Sequence, residues 1–170
     1  MNRTLTDVQI RREVVVSKAG GQPVAHCETL LAVTSKAPEF IDITDDVQAV
    51  VGSSGARFGQ ATVFSGHTTA AIRVNENEPL LLQDLARVVQ QLAPMDEEYE
   101  HNDFSRRENI DDDECANGHA HCQHLFLSTS ETVPIIDGQL ALGTWQRIFL
   151  VELDRPRERR VLVNIIGVRG

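Results

Sequence analysis

Histidines are the residues of this 170-residue chain whose number and positions most suggest chemistry. Six are present; His67 directly follows an apolar segment, His101 lies in an acidic stretch, and three more fall within the motif GHAHCQH. A neutral imidazole binds zinc or another borderline metal, and a catalytic zinc site has three protein ligands with one open position. The spacing matches no compact metal motif such as H-E-x-x-H. The histidines therefore support two hypotheses, a shared metal site and separate structural roles.

The secondary structure of GHAHCQH, residues 118–124, decides which of its histidines can act together. In a helix His121 and His124 share a face and His119 points elsewhere, whereas in an extended segment His119 and His121 share a side. Capping a helix or lying half exposed would explain any single imidazole. Accidental convergence of three or four is harder to explain, and we keep the shared site as the functional hypothesis.

The tract NENE, residues 75–78, follows His67 and has two interpretations. Asparagine and glutamate suit the first turn of a helix. In the functional interpretation Asn75 or Glu76 lies beside His67, where it fixes the tautomer of the imidazole or acts as a general base.

Arginines near the C-terminus suggest anion binding. The segment RPRERR, residues 155–160, could cradle a phosphate or carboxylate because the guanidinium fork makes bidentate, charge-assisted hydrogen bonds. An exposed hairpin turn would have the same composition.

The only tryptophan, Trp145, is expected in the core or at an interface, and Cys115 and Cys122 lack an activating pattern. Walker, G-x-G-x-x-G and G-x-S-x-G motifs do not occur, so those routes to nucleotide binding and ester hydrolysis have no support.

The composition bounds the class of protein. A chain of 170 residues, 41% hydrophobic and 24% charged, can bury a core as a single domain without disulfides. A net charge of −9 argues against nonspecific binding to nucleic acid or anionic lipid. No apolar run approaches the roughly 20 residues of a membrane helix. Three cysteines without metal-type spacing and an N-terminus without a secretory pattern lead us to expect a cytoplasmic protein.

The first half of the chain shows an extension, two strands and a helix. Residues 1–27 are interpreted as an N-terminal extension, because SKAGGQP interrupts a short alternating segment, and one domain covers residues 28–170. ETLLAVTS and EFIDIT are short strands whose spacing predicts a hairpin. Thr44 is the expected N-cap of a helix that stops at residues 52–55, and strands follow on either side of Gly66.

The second half combines helices with an antiparallel ending. Pro79, capped by Asn77 or Glu78, begins an amphipathic helix that Pro94 ends. The polar residues 95–114 have the length of a functional or disordered loop. A short helix capped by Asn117 precedes several strands, with a turn at Asp137-Gly138. This order predicts an α+β fold that is β-rich, with two to three helices and either two sheets or one strongly curved sheet.

Five motifs, taken together and in order, resemble the YjbQ-like family, whose members are labelled secondary thiamine-phosphate synthases. They are FSGHTTAAIRVNENEP, YEHND, NGHAH, VPIIDGQLALGTWQ and DRPRERRVLVNIIG, and the match runs from about Glu28 to Gly167. The resemblance implies an α+β fold assembled as a homotrimer, with a site near the subunit boundary where three histidines can hold a metal. By motif these histidines are His67 in HTTA, His101 in YEHND and His121 in GHAH.

The resemblance also suggests a function and roles for further residues. We expect a metal-assisted enzyme that acts on a small phosphorylated metabolite, with thiamine-phosphate synthesis as a secondary activity, and with a divalent metal, zinc first and magnesium second. The expected proton-transfer residues are Glu76 and Glu100. The expected binding residues are Asn75, Trp145, Gln146, Arg157 and Arg159. The alternative is a non-catalytic trimer that binds a metal or small anion as an accessory protein.

Overall fold

The computed structural model describes residues 20–108, 110 and 114–169 and has an α+β fold, as the sequence predicts. Within these residues eight strands form two antiparallel sheets. The larger sheet has the order β1-β8-β3-β5-β6 and the smaller sheet the order β2-β7-β4. The strands are β1 Pro23–Val33, β2 Glu39–Asp42, β3 Phe58–Ser65, β4 Ala70–Glu76, β5 Ser130–Ile136, β6 Gln139–Leu140, β7 Gln146–Glu152 and β8 Glu158–Val168. The helices are α1 Thr44–Ser54, α2 Pro79–Leu92 and α3 Gly118–His124, with a short 3₁₀ turn at Glu100–Asn102.

The smaller sheet is buried on both faces because its strands alternate between two hydrophobic clusters. Ile72 and Leu150 face the core between the two sheets, which α1 also contributes to. Ala71 and Phe149 face the opposite way and pack against Val89 of α2 and Ala120 of α3. The molecule is therefore layered as larger sheet, smaller sheet and helices, and α3 is fixed against the strands that lead to the candidate site.

The predicted hairpin between the first two strands is wrong. β1 pairs with β8 along its whole length, from Pro23 opposite Val168 to Val33 opposite Glu158, whereas β2 pairs with β7. Residues 35–38 carry the chain from one sheet to the other, and Phe40 then packs edge to face on Phe149, with ring centroids 6.1 Å apart. Burial of β2 against the second cluster outweighs the local pairing that the short spacing suggested.

The connection from β3 to β4 also changes sheets, and it has a functional consequence. Residues 66–69 cross between the sheets, with the Ser65 hydroxyl donating to the Ala70 carbonyl at 2.7 Å. His67 lies on this crossing and not inside a strand. The crossing brings the histidine to the edge of both sheets, next to the turn between β7 and β8.

The predicted helix at Pro79 is confirmed, including its cap. The Glu78 carboxylate accepts hydrogen bonds from the Leu80 and Leu81 N–H groups, at 3.0 and 2.7 Å. The predicted helix at Thr44 also forms, but Thr44 is its first residue, and the hydroxyl donates to Asp42 instead of capping. None of the helices in the described part of the chain has the length and apolar character needed to cross a bilayer.

The described domain begins earlier than the boundary expected at Glu28. β1 starts at Pro23, and Val24 is buried in the core. Residues 23–27 therefore belong to the larger sheet, while residues 1–19 of the predicted extension lie outside the described residues. The predicted turn at Asp137-Gly138 is confirmed, with φ of 51° and 80° at the two residues.

Candidate functional site

Three separate segments meet at one cavity of about 370 Å³. They are the crossing after β3, the 3₁₀ turn with the start of α3, and the turn between β7 and β8. The lining residues are Gly66, His67, Thr68, Thr69, His101, Arg107, Glu114, Asn117, His121, Arg157 and Arg159. The three predicted metal histidines and the two predicted binding arginines are thus brought to the same cavity.

His67 is held by the backbone of β8. Its Nε2 accepts a hydrogen bond from the Arg160 N–H at 3.0 Å. Burial, and then the charge of Arg159, lower the pKa of His67 below the ordinary value of 6.5. A neutral imidazole that accepts at Nε2 carries its proton on Nδ1. In this arrangement Nδ1 of His67 is a hydrogen-bond donor, and neither ring nitrogen has a free lone pair.

His101 and His121 are brought together by a tight contact between the 3₁₀ turn and α3. The Asn102 side chain accepts a hydrogen bond from the Gly118 N–H at 2.9 Å. A Cβ at Gly118 would lie 2.5 Å from the Tyr99 Cβ, so only glycine allows this approach. The His101 and His121 rings meet edge to face, with centroids 4.7 Å apart.

The His101 imidazole has a buried ring nitrogen that is available to a ligand. The Nε2 atom of His101 is buried without a hydrogen-bond partner among the described residues. Burial and the neighbouring His101 lower the pKa of His121, which favours the neutral form. However, no three His, Cys, Asp or Glu side chains in the described ranges are arranged to hold a metal ion.

Arg159 lies at the floor of the cavity and is 1% exposed. Its Nε donates to Glu152 Oε2 at 2.6 Å, and its Nη2 donates to the other oxygen of the same fully buried carboxylate and to the Thr69 hydroxyl at 3.1 Å. These bonds leave Nη1 without a hydrogen bond among the described residues. Hydrogen bonds therefore hold Nε and Nη2 in place, and Nη1 is the nitrogen available to a ligand.

Arg157 and Arg107 also line the cavity, each beside a carboxylate. Arg157 Nη1 lies 3.7 Å from the buried Asp154, and Arg107 Nη2 lies 3.5 Å from Glu114. Arg107 also donates from Nη1 to the His101 carbonyl at 3.3 Å. All three cavity arginines thus have a carboxylate neighbour.

Several of these lining residues were not predicted from the sequence. Arg107 and Glu114 lie in the polar segment before α3, whose composition resembles that of a solvated loop. Asn117 was expected only to cap α3, yet its side chain makes no capping bond and lies 3.5 Å from Asp154. Thr69 belongs to the HTTA motif, and its nearness to His67 is the signal that could have identified it.

Four predicted residues lie at the far end of the smaller sheet. Glu76 pairs with Gln146, and Asn75 with Arg147, whereas Ala70 and Glu152 pair beside the cavity. The seven residues of β4 span roughly 20 Å. Trp145, 71% exposed, lies with Glu76 on a second cavity. Within one chain, therefore, Asn75, Glu76, Trp145 and Gln146 do not reach the histidines.

Glu100 precedes His101 but its side chain points away from the cavity. The carboxylate is 87% exposed and paired with Arg106. In α3, the 3%-exposed His119 faces the interior with neither ring nitrogen hydrogen-bonded in the described part of the chain, and burial lowers its pKa. Of the three α3 histidines, only His121 lines the cavity.

Comparison with known proteins identifies relatives of the whole described domain. The family model described as UPF0047 protein YjbQ-like matches residues 28–168. A UPF0047 protein of Methanothermobacter thermautotrophicus is 45% identical over 134 residues, which cover 79% of this chain and 87% of the relative. One from Archaeoglobus fulgidus is 41% identical, covering 78% of this chain and 95% of the relative. The crystal structure of a YbjQ-like protein of unknown function from Sulfolobus solfataricus matches with a TM-score of 0.78 and 35% identity, over 86% of this chain and 99% of the other.

Proposed function

The chain belongs to the YjbQ-like family UPF0047, and from this membership and the cavity geometry we propose that it is an enzyme acting on a small phosphorylated metabolite. The observation that carries the proposal is the convergence of three histidines and three arginines from separate segments on one cavity of about 370 Å³. A cavity of this size suits a small metabolite. Guanidinium and imidazole donors stabilise negative charge on phosphoryl oxygens.

The phosphoryl group is bound by donors that the fold already orients. Arg159 presents Nη1, because its other nitrogens are bonded to Glu152 and Thr69. Arg157 adds a second, less buried guanidinium. His67 donates from Nδ1, because its Nε2 accepts from the Arg160 N–H. Together they form a site for an anion with several oxygens.

A divalent metal ion, zinc before magnesium, is our proposal for the cofactor, and His101 and His121 are the residues that would hold it. The unpartnered Nε2 of His101 and the close approach of the two rings support this assignment. His67, the third expected ligand, would have to leave the Arg160 N–H to join them. A metal bound there would polarise a phosphoryl oxygen or activate water.

Glu114 is the carboxylate we propose for proton transfer. It is the carboxylate among the described residues that line the cavity, whereas Glu76 and Glu100 point elsewhere in the same chain. Its side chain is 21% exposed and lies 3.5 Å from Arg107.

Thiamine-phosphate synthesis is retained as a secondary activity of the same site. The reaction joins a pyrimidine pyrophosphate to a thiazole phosphate and expels pyrophosphate. The cavity arginines support it because a departing pyrophosphate develops charge that guanidinium groups stabilise. The family label, and not the geometry, is the reason for choosing these substrates.

A non-catalytic accessory protein that binds a metal or an anion is the second candidate. The observation that favours it is charge compensation, because Arg107, Arg157 and Arg159 each have a carboxylate beside them. In that arrangement Glu114 serves as a counter-ion and no proton needs to move.

Replacement of Arg157 separates the two candidates. We expect Arg157→Gln to lower kcat/KM for phosphorylated substrates about a hundredfold, the usual cost of losing one charge-stabilising donor. Arg57→Gln removes an exposed arginine paired with Asp137 and should leave kcat/KM unchanged. Binding of inorganic phosphate without turnover of any phosphorylated substrate would favour the accessory protein. Absence of turnover together with absence of both phosphate and zinc binding would refute both candidates.

A homotrimer in the cytoplasm is our proposal for the assembly and location. The outer face of the larger sheet supports self-association, because its central outward-facing side chains carry no charge and include Phe64, Leu162 and Ile166, at 39%, 41% and 47% exposure. The others are Cys27, Thr29, Thr62 and Asn164, and the charged Arg160, opposite Leu31, lies at the edge of the same face. Large uncharged patches of this kind are typical of protein contacts. The three free cysteines are consistent with a reducing compartment.

A further inference from the structure

Thr34 extends the contact between β1 and β8 beyond the end of both strands. The regular ladder stops at Val33 opposite Glu158. At the next position the Thr34 N–H donates to the Arg157 carbonyl at 3.0 Å, as in a strand pair. The return bond comes from the side chain, because the Arg157 N–H donates to Thr34 Oγ1 at 2.8 Å. The hydroxyl thus takes the place of a main-chain carbonyl where the chain turns toward β2.

The same hydroxyl reaches the carboxylate that fixes Arg159. Thr34 Oγ1 lies 3.0 Å from Glu152 Oε2, the oxygen that also accepts from Arg159 Nε. The Arg157 carbonyl lies at the same distance but already accepts from the Thr34 N–H, so we assign the single hydroxyl proton to Glu152. The other oxygen of Glu152 accepts from the Leu153 and Asp154 N–H groups, at 3.1 and 2.9 Å. Thr34 is 3% exposed and Glu152 is fully buried, so water does not compete for these bonds.

We propose that Thr34 is a positioning residue for the cavity, where one buried hydroxyl sets the relative placement of Arg157 and Arg159. It holds Arg157 through the backbone and Arg159 through the Glu152 carboxylate. This inference rests on the proposed function, because it assigns the two guanidinium groups to a common anion. Thr34 does not line the cavity. It lies directly after β1 and is far in sequence from the residues that do.

Loss of the hydroxyl should disturb both arginines at once. Valine has nearly the shape of threonine, so Thr34→Val leaves the packing but removes the acceptor of the Arg157 N–H and one donor to Glu152. A buried N–H without a partner is costly, and the turn that carries Arg157 would move to reach water. Thr34→Ser keeps the hydroxyl and loses only a methyl group.

Thr44 provides a matched control that does not line the cavity. Its hydroxyl accepts from the Ile148 N–H at 2.7 Å and donates to Asp42 at 2.7 Å, so it also joins a backbone N–H to a carboxylate. It is 6% exposed. Thr44→Val therefore removes an equivalent pair of hydrogen bonds, those to the Ile148 N–H and to Asp42, without touching a residue that lines the cavity.

The test measures the dissociation constant of inorganic phosphate by calorimetry, the unfolding midpoint, and hydrogen exchange of the Arg157 amide in the full chain. For Thr34→Val we expect phosphate binding to weaken five- to tenfold, roughly the effect of one lost hydrogen bond, and the Arg157 amide to exchange faster. Thr34→Ser should restore both. Thr44→Val should lower the midpoint by a similar amount without changing phosphate binding.

The outcomes distinguish this inference from the proposed function. Wild-type protein that binds no phosphate would refute the anion site and the inference together. Wild-type binding with equal affinity in Thr34→Val and Thr44→Val would refute the inference alone. A loss in Thr34→Ser as large as in Thr34→Val would assign the effect to packing and overturn the role of the hydroxyl. If Thr34→Val does not fold, Thr34→Ala removes the same bonds, and rapid exchange of the Arg157 amide in the wild type would also contradict the proposal.

Discussion

The imidazole rings of His101 and His121 lie edge to face, 4.7 Å apart, although one belongs to a 3₁₀ turn and the other to α3. If these rings hold the metal, His101→Ala and His121→Ala should each lower zinc affinity by at least about tenfold, because a first ligand matters at least as much as its hydrogen-bond partners. Elemental analysis and competition with a chelator measure this.

His67→Ala should keep metal and lose phosphate binding, because His67 Nε2 is bonded to the backbone.

His124 is the control for the metal prediction, since it lies on α3 but does not line the cavity. Its alanine variant should bind as much zinc as the wild type. Equal metal content in all four variants would rule out the histidine site. Loss of metal in the His67 variant would show that its ring leaves the Arg160 N–H when the metal binds.

Stability should fall as the solution is acidified below the ordinary histidine pKa. Burial lowers the pKa of His119 from 6.5, with Asp154 opposing the shift, and burial likewise lowers the pKa values of His67, His121 and His124. On acidification the unfolded chain therefore binds these protons before the folded chain does. The contribution of the neutral histidines to the free energy of unfolding is complete above about pH 6.5, and it is lost as the pH falls through their pKa values in the folded state. Urea unfolding at pH 7.5 and 5.5 tests this sign.

His119→Gln isolates the share of the most buried histidine. It should flatten the dependence between pH 7.5 and 5.5, whatever its effect on stability at the higher pH. Asp42 does not contribute in this range, because its pKa is lowered below 3.8 even though burial alone would raise it. A midpoint that rises on acidification, or an unchanged slope in His119→Gln, would contradict the prediction.

The start of β1 should contribute measurably to stability. A chain that begins at Glu28 loses the ladder from Pro23 opposite Val168 to Cys27 opposite Asn164, and with it the buried Val24. We expect its thermal midpoint to fall by about 10 °C relative to the full chain. A chain that begins at Gly20 keeps all of the described residues and is the matched control. Equal midpoints for the two shortened chains would place the domain boundary at Glu28 after all.

The uncharged face of the larger sheet should govern self-association. Leu162→Glu places a charge beside Phe64 at its centre, where burial against a second copy would strand the carboxylate. We expect the trimer mass to fall to that of a monomer in light scattering at micromolar concentration. Leu92→Glu, at a 50%-exposed position on α2, is the control and should leave the mass unchanged. A wild-type monomer would refute the assembly.

The sequence identifies those parts of the fold that neighbouring residues determine. The first residue and the cap of α2 are predicted correctly because Glu78, Pro79 and the apolar stripe are local signals. The hairpin of β1 and β2 is wrong because the partner of β1 is the last strand, which no local pattern reveals. Arg107 and Glu114 were missed because cavity-lining and solvated charges have the same composition. Glu100 and His101 are adjacent, yet the 3₁₀ turn sends only the second into the cavity.

The pairing of the first strand with the last determines when this protein can fold. β8 lies between β1 and β3, so β1 has no partner strand and β3 has only β5 until β8 has been synthesised. Pairing over such a sequence separation is slow, so β1 and one edge of β3 stay unpaired until β8 joins them. The larger sheet is therefore expected to form late in folding, and a nonsense codon anywhere in β8 should yield an aggregating product instead of a shortened native one.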